Sequence, residues 1–117
     1  MDITVAQIQD WLSEADEAAR IAAQAAFERN GNSDWDACGF SWVNLYKFEG
    51  KNLDGRSRLA KLLKSAGVRQ DYTRAFQVWN PGGYGGQSIS IKEAAAKAYA
   101  DVLIRKGFTA YPGSRMD

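Results

Sequence analysis

The sequence predicts an α/β or α+β sandwich, with a three-stranded sheet and three helices in the order α-β-α-β-α-β. Three observations lead there. Apolar residues recur at spacings of three and four in some stretches and of two in others, the periods of a helix face and a strand face. The two kinds of stretch alternate along the chain, separated by breaks rich in glycine, asparagine and proline. A chain of 117 residues, 45% hydrophobic and 25% charged, has the size and composition of one domain, residues 1–117, with one core. Each crossover holds a helix, so both parallel and mixed pairing are open.

The first helix is expected from about Val5 to Arg29. Thr4 and Gln7 read as a capping box, which satisfies two otherwise orphan amides. Val5, Ile8, Leu12, Ala15, Ala19, Ala22 and Ala26 form one stripe that narrows from large to small residues. An alanine stripe admits close approach of another backbone, either a helix of the same chain or a second copy. Asn30-Gly31-Asn32 stops the helix. The first strand runs from Cys38 to Phe48. Phe40, Trp42, Asn44, Tyr46 and Phe48 alternate with Ser41, Val43, Leu45 and Lys47, so the two sets face opposite ways. Glu49 to Asn52 reads as a loop.

The second helix is expected over Gly55–Ala66, capped by Asp54 and ended by Gly67. Leu59, Leu62, Leu63 and Ala66 form its core side; Arg58, Lys61 and Lys64 form its outer side. The second strand is Arg74–Trp79, with Phe76 and Val78 on one face and Ala75, Gln77 and Trp79 on the other. Residues 80–86 form a glycine-rich loop. The third helix starts at Ser90, with Glu93 completing a capping box, and runs to about Lys106; Glu93–Lys97 and Asp101–Arg105 have favourable acid-first spacing. A short last strand, Phe108–Tyr111, ends at Pro112-Gly113.

Composition removes whole function classes. The chain has no histidine and one cysteine. Ser-His-Asp and Cys-His catalysis, His-ligated metals and an internal disulfide are therefore absent. No cofactor is called for. No apolar run approaches the ~20 residues that span a bilayer. Met1 to Thr4 lacks the pattern of a signal peptide. The single thiol fits a reducing cytoplasm and no membrane partner.

Net charge is +1, but it is unevenly spread. Residues 1–36 hold eight acids against Arg20 and Arg29. Residues 51–74 hold seven bases against Asp54 and Asp71. Arg56, Arg58, Lys61, Lys64 and Arg74 form a candidate phosphate-binding patch; the competing reading is a solvated helix face paired with the acidic first helix.

Phe40, Trp42, Tyr46 and Trp79, with Tyr111 nearby, form a second candidate. An uncovered aromatic sheet face stacks nucleotide bases or anchors a protein partner. Alternatively, the first or third helix covers this face and the rings belong to the core. Gly82, Gly83, Tyr84, Gln87 and Ser88 form a third candidate, because loop amides before a helix can cradle an anion. Neither nucleotide-binding glycine motif is present, so a plain connector competes. Cys38 reads as a buried strand residue, and Asp34-Trp35-Asp36 as a solvated loop.

Cys38-Gly39-Phe40-Ser41-Trp42-Val43, Gln87-Ser88 ahead of an alanine-rich helix, and the ending Tyr111-Pro112-Gly113-Ser114-Arg115-Met116-Asp117 resemble small uncharacterised accessory proteins of tailed bacteriophages. The likeness spans about residues 38–117 and carries over no catalytic or binding residue. It implies a phage accessory protein acting in a bacterial cytoplasm. The residues and the resemblance together point to a non-enzymatic binding module, monomeric or homodimeric, that engages a host or defence protein. A nucleic-acid-binding module using residues 55–66 is the alternative, and a small ligand at loop 80–88 is the third reading.

Overall fold

The first long strand, β1 (Gly39–Phe48), has neighbours along both edges. The computed structural model describes residues 2–117 apart from Trp35 and Gly55. Ahead of β1 comes α1 (Val5–Arg29); after it come β2 (Lys51–Asn52), α2 (Arg58–Ser65), β3 (Arg69–Gln70), β4 (Phe76–Trp79), a single 3₁₀ turn (Pro81–Gly83), α3 (Ile89–Arg105) and β5 (Phe108–Met116). The class is mixed α and β, with three helices and a five-stranded, wholly antiparallel sheet. The expected three strands are thus too few, and among the described residues neither parallel nor mixed pairing occurs.

Short-range turn chemistry accounts for the two extra strands. Glu49 and Gly50 both take positive φ (49° and 79°), the conformation of a tight two-residue hairpin turn whose twist matches the flanking strands. The segment read as a loop therefore folds back as β2 on β1. At the β3–β4 hairpin, one oxygen of Asp71 accepts from the Thr73 and Ala75 amides and the Thr73 hydroxyl. Arg74, at φ 72°, lies in this turn and not in the strand expected to begin there.

β4 and β5 both run antiparallel to β1 and flank it, so α3 crosses over β1 to join them. β5 continues through Pro112 and Gly113 to Met116, well past its expected stop. A proline is tolerated because β5 pairs only with β1 and so lies at a sheet edge.

Helix starts also differ from expectation. α2 is capped by Ser57, whose hydroxyl accepts from the Ala60 amide; Asp54 caps the preceding turn through the Arg56 and Ser57 amides. The expected start at Gly55 lies outside the described residues. α3 is capped by Ser88, which accepts from the Ile91 amide. Ser90 is therefore inside the helix, and Glu93 accepts from the Ser114 hydroxyl on β5. Lys97 pairs with Asp101 at 3.3 Å, in place of the two acid-first pairs. Thr4 caps α1 as expected, accepting from the Gln7 amide.

The core lies between the helices and one face of the sheet. Ser41, Val43, Leu45, Phe76, Phe108 and Ala110 point into it. Ala15, Ala19, Ala23 and Ala26 of α1 are buried, as are Ala95, Ala96 and Ala100 of α3. The alanine stripe thus serves close helix packing within the chain, with Ala23 on the buried side and Ala22 only half-buried. A β-bulge between Leu45 and Lys47 adds one residue to β1 opposite β5. The extra residue reverses the alternation. Tyr46 and Lys47 are both exposed, while Phe48 swings to the helix side and packs on Trp11 and Phe108. Phe48 therefore leaves the face that strict alternation assigns it.

Candidate functional site: the open aromatic face

Among the described residues no helix covers the sheet face away from the core. Trp79 is 53% exposed, Tyr111 59% and Tyr46 43%, with Phe40 and Trp42 half-buried beside them. Antiparallel register brings these rings together: Trp42 lies opposite Trp79, and Asn44 lies opposite both Gln77 and Tyr111. The indoles of Trp42 and Trp79 stack with their planes 1° apart and their centroids at 5.5 Å. Phe40 adds to this group at 5.8 Å from Trp79. A second group, Tyr46 and Tyr111, sits at 5.8 Å further along the strands.

Between the two groups lies an amide pair. Gln77 Nε2 donates to Asn44 Oδ1 at 3.1 Å, and Asn44 Nδ2 donates to the Tyr46 hydroxyl at 3.2 Å. Gly113 is required beneath Trp42, because a Cβ there would collide with the indole ring. The absence of a side chain lets Trp42 lie close over β5.

Cations border these rings. The Arg115 guanidinium lies 5.8 Å from the Phe40 centroid, within cation–π range. Arg69 is cross-strand from Gln77 and so shares its face. Lys47 is exposed at the bulge. Arg56 and Arg74 line a groove of about 590 Å³ that Tyr46 also lines. Tyr72, 98% exposed, stands at the tip of the β3–β4 hairpin beside them.

The structure divides the basic patch read from the sequence. Arg56 and Arg74 reach the Tyr46 end of the open face, whereas Arg58, Lys61 and Lys64 are exposed on α2. The competing reading holds in part: these side chains are solvated and α2 packs against α1, but no ion pair joins the two helices, since among the described residues the ion pairs are Arg20–Glu17, Lys97–Asp101 and Lys106–Glu14.

The glycine-rich loop is fastened by the chain's own carboxylates. Gly82 donates its amide to Asp16 at 2.9 Å, Gln87 to Asp34 Oδ2 at 2.8 Å, and Ser88 to Asp34 Oδ1 at 2.9 Å. The Tyr84 hydroxyl donates to Asp34 Oδ1 at 2.5 Å. The Gly83 amide bonds Asn80 O, and the Ser88 hydroxyl caps α3. The amides of Gly82, Gly83, Gln87 and Ser88 and the Tyr84 hydroxyl are already engaged, and an added anion would meet the Asp34 charge.

The Tyr84 hydroxyl and the loop amides hold the Asp34 carboxyl below the usual carboxylate range. The Ser88 and Ser90 hydroxyls do the same for Asp36. Burial and the neighbouring Asp34 charge push the Tyr84 phenol up to about 12. These aspartates form a clasp on the start of α3, not the solvated loop expected of them; Trp35, between them, lies outside the described residues. Cys38 is exposed rather than buried; it precedes β1, forms an isolated bridge to Ser88 and accepts from the Asp117 amide.

Sequence reading missed Arg115, Arg69 and the Asn44–Gln77 pair. Arg115 was within reach, because the alternation Thr109, Tyr111, Gly113, Arg115 continues past the proline that seemed to end the strand. Arg69 was not, because a two-residue strand has no period to detect. Among the described residues no helix is long and apolar enough to cross a membrane. Comparison of the chain with protein-family models, curated proteins and solved structures finds no match.

Proposed function

We propose that this chain is a non-enzymatic binding module that holds a macromolecular partner on the open aromatic face of its sheet. One observation carries the reading: Trp42, Trp79, Tyr46 and Tyr111 are gathered on a sheet face that no helix covers. Exposed aromatic area of this kind is costly to leave wet in a small domain and marks a contact surface. Trp and Tyr supply large, rigid contact area with a polar handle. Four amides of the glycine-rich segment and the Tyr84 hydroxyl are bound within the chain beside the Asp34 charge, which makes it a poorer anion site than the sheet.

A host or defence protein is the partner expected from the sequence and a nucleic acid the alternative, and exposed rings such as Trp79 and Tyr111 serve as contact anchors for either. The test uses the intact chain and a Trp79→Ala/Tyr111→Ala variant as baits in a bacterial lysate, with bound protein and bound nucleic acid both identified. The expected result is a partner enriched by the intact chain and lost with the variant. Identical recoveries from both baits would overturn the reading. Both side chains are largely solvent-exposed, so the variant is expected to keep its thermal unfolding midpoint within a few degrees.

A further inference from the structure

We infer that the occupant of the open face is a single-stranded nucleic acid, a conclusion that rests on the binding-face reading above. Three features of the face select it. The first is charge. Arg115, Arg69 and Lys47 stand on or beside the rings, and Arg56 and Arg74 line the groove at Tyr46. Two acids share this side, Asp54, which lines the same groove, and Asp71 in the β3–β4 turn; their charges stand against those of the five cations. Asp117 lies just past the end of β5. The exposed acids of α1, Asp10, Glu14 and Glu17 among them, belong to the opposite layer. Cations therefore outnumber acids on the open face, which suits a phosphate backbone.

The second feature is chemical type. The exposed aliphatic side chains Ile21 and Ile104 belong to helices. The open face presents rings, amides and guanidinium groups. Planar groups stack on bases, and their stacking tolerates any base. The centre of a protein interface is typically depleted of charge and well filled by apolar side chains; here a polar amide pair occupies the centre.

The third feature is spacing. Tyr46 lies four positions along β1 from Trp42, about 13 Å, and Tyr111, in register with Asn44, stands about half way between them. Bases stacked on each group would be linked by backbone passing over Asn44 and Gln77. Carboxamides offer donors and acceptors to base edges. The groove at Arg56 and Arg74 continues the path beyond Tyr46 and would receive the next phosphates.

The experiment is a fluorescence-anisotropy titration of the intact chain with labelled DNA and RNA strands of about twelve nucleotides, within the span of one such binding site. The same sequences as duplexes form a third arm. Binding of at least one single strand at micromolar strength or better, at least tenfold tighter than the duplex, is expected; which strand binds better separates RNA from DNA. Three phosphate contacts give a log–log salt slope of about −2, so a tenfold rise in salt weakens binding about a hundredfold. Trp79→Ala is expected to weaken binding about tenfold or more, with Trp79→Phe recovering part of the loss. Arg115→Ala should flatten the salt slope by about 0.7. Lys61→Ala on α2 should leave affinity within about twofold, unlike the outcome if the basic helix were the site.

Duplex binding as tight as single-strand binding, or binding indifferent to Trp79, would overturn the inference. Failure of every oligonucleotide to bind, alongside a protein recovered from lysate in a Trp79-dependent way, would overturn the nucleic-acid assignment and leave the binding face intact. Absence of any Trp79-dependent partner would overturn both.

Discussion

Asp34 shows how much one side chain can organise. Its carboxylate accepts from the Tyr84 hydroxyl and from two successive amides, closing the loop between β4 and α3. Replacing it by asparagine keeps the shape but sets an NH₂ group against a donor. Asp34→Asn is expected to cost about 2 kcal/mol, the scale of hydrogen bonds to a charged group, measured by urea unfolding at pH 7. The pH dependence has a definite sign. Asp34, Asp36 and Asp71 are all held below the ordinary carboxylate range by hydroxyl and amide donors. Their stabilisation is therefore fully present above the unfolded value of about 3.9 and is lost as pH falls through the lower folded values. Tyr84 works the other way: with its phenol raised to about 12, its stabilisation is present below the unfolded value of about 10 and is lost as pH rises towards 12. Asp34→Asn should reduce both slopes.

Among the elements, α3 carries the clearest correction and a test of it. A serine at position 88 and another at position 90 both look like helix caps in the sequence, and Glu93 favours the second. The backbone decides for Ser88, which is extended (φ −60°, ψ 120°) and accepts from the Ile91 amide, while Ser90 is already helical. Ser88→Ala is expected to lose about 1 kcal/mol of stability and Ser90→Ala distinctly less, again by urea unfolding. The β1 bulge is the other decisive element feature. By inserting one residue it sends Phe48 into the Trp11–Phe108 cluster and leaves Tyr46 facing Tyr111. Without it, Tyr46 would keep its side, but Phe48 would be a further wet ring and the core would lack a filler at that end.

At the scale of the whole molecule, a net charge of +1 conceals a local gathering of cations. Lys47, Arg56, Arg69, Arg74 and Arg115 gather at the open face, whereas the acids of α1 lie in the helical layer together with the bases of α2 and α3. A protein of near-zero net charge with such a gathering should still be retained on immobilised heparin at neutral pH and low salt. Combined Arg69→Ala and Arg115→Ala should lower the salt needed for elution, while Lys97→Ala, on the helical side, should leave it nearly unchanged. Equal shifts for both variants would mean that net charge, and not its placement, governs retention.

Period, caps and breakers in the sequence by themselves determined α1 to the residue, the span of β1 to within one residue, the existence of α2 and α3, and the burial of an alanine stripe. Those features are local: a helix face or a strand face is written in spacing alone. Only the tertiary structure decided the number of strands, since β2 and β3 are two residues long and exist because turns at Glu49-Gly50 and Asp71–Ala75 fold them back onto longer neighbours. It alone decided that β5 runs on past Pro112, because an edge position is a property of the sheet. Above all it decided that the rings of β1, β4 and β5 are uncovered. Alternation can say that Phe40, Trp42 and Tyr46 share a face, but whether helices pack on one side of a sheet or on both depends on how the connections cross it. Here α1, α2 and α3 all contribute to one core on the other face, and that leaves the aromatic side to a partner.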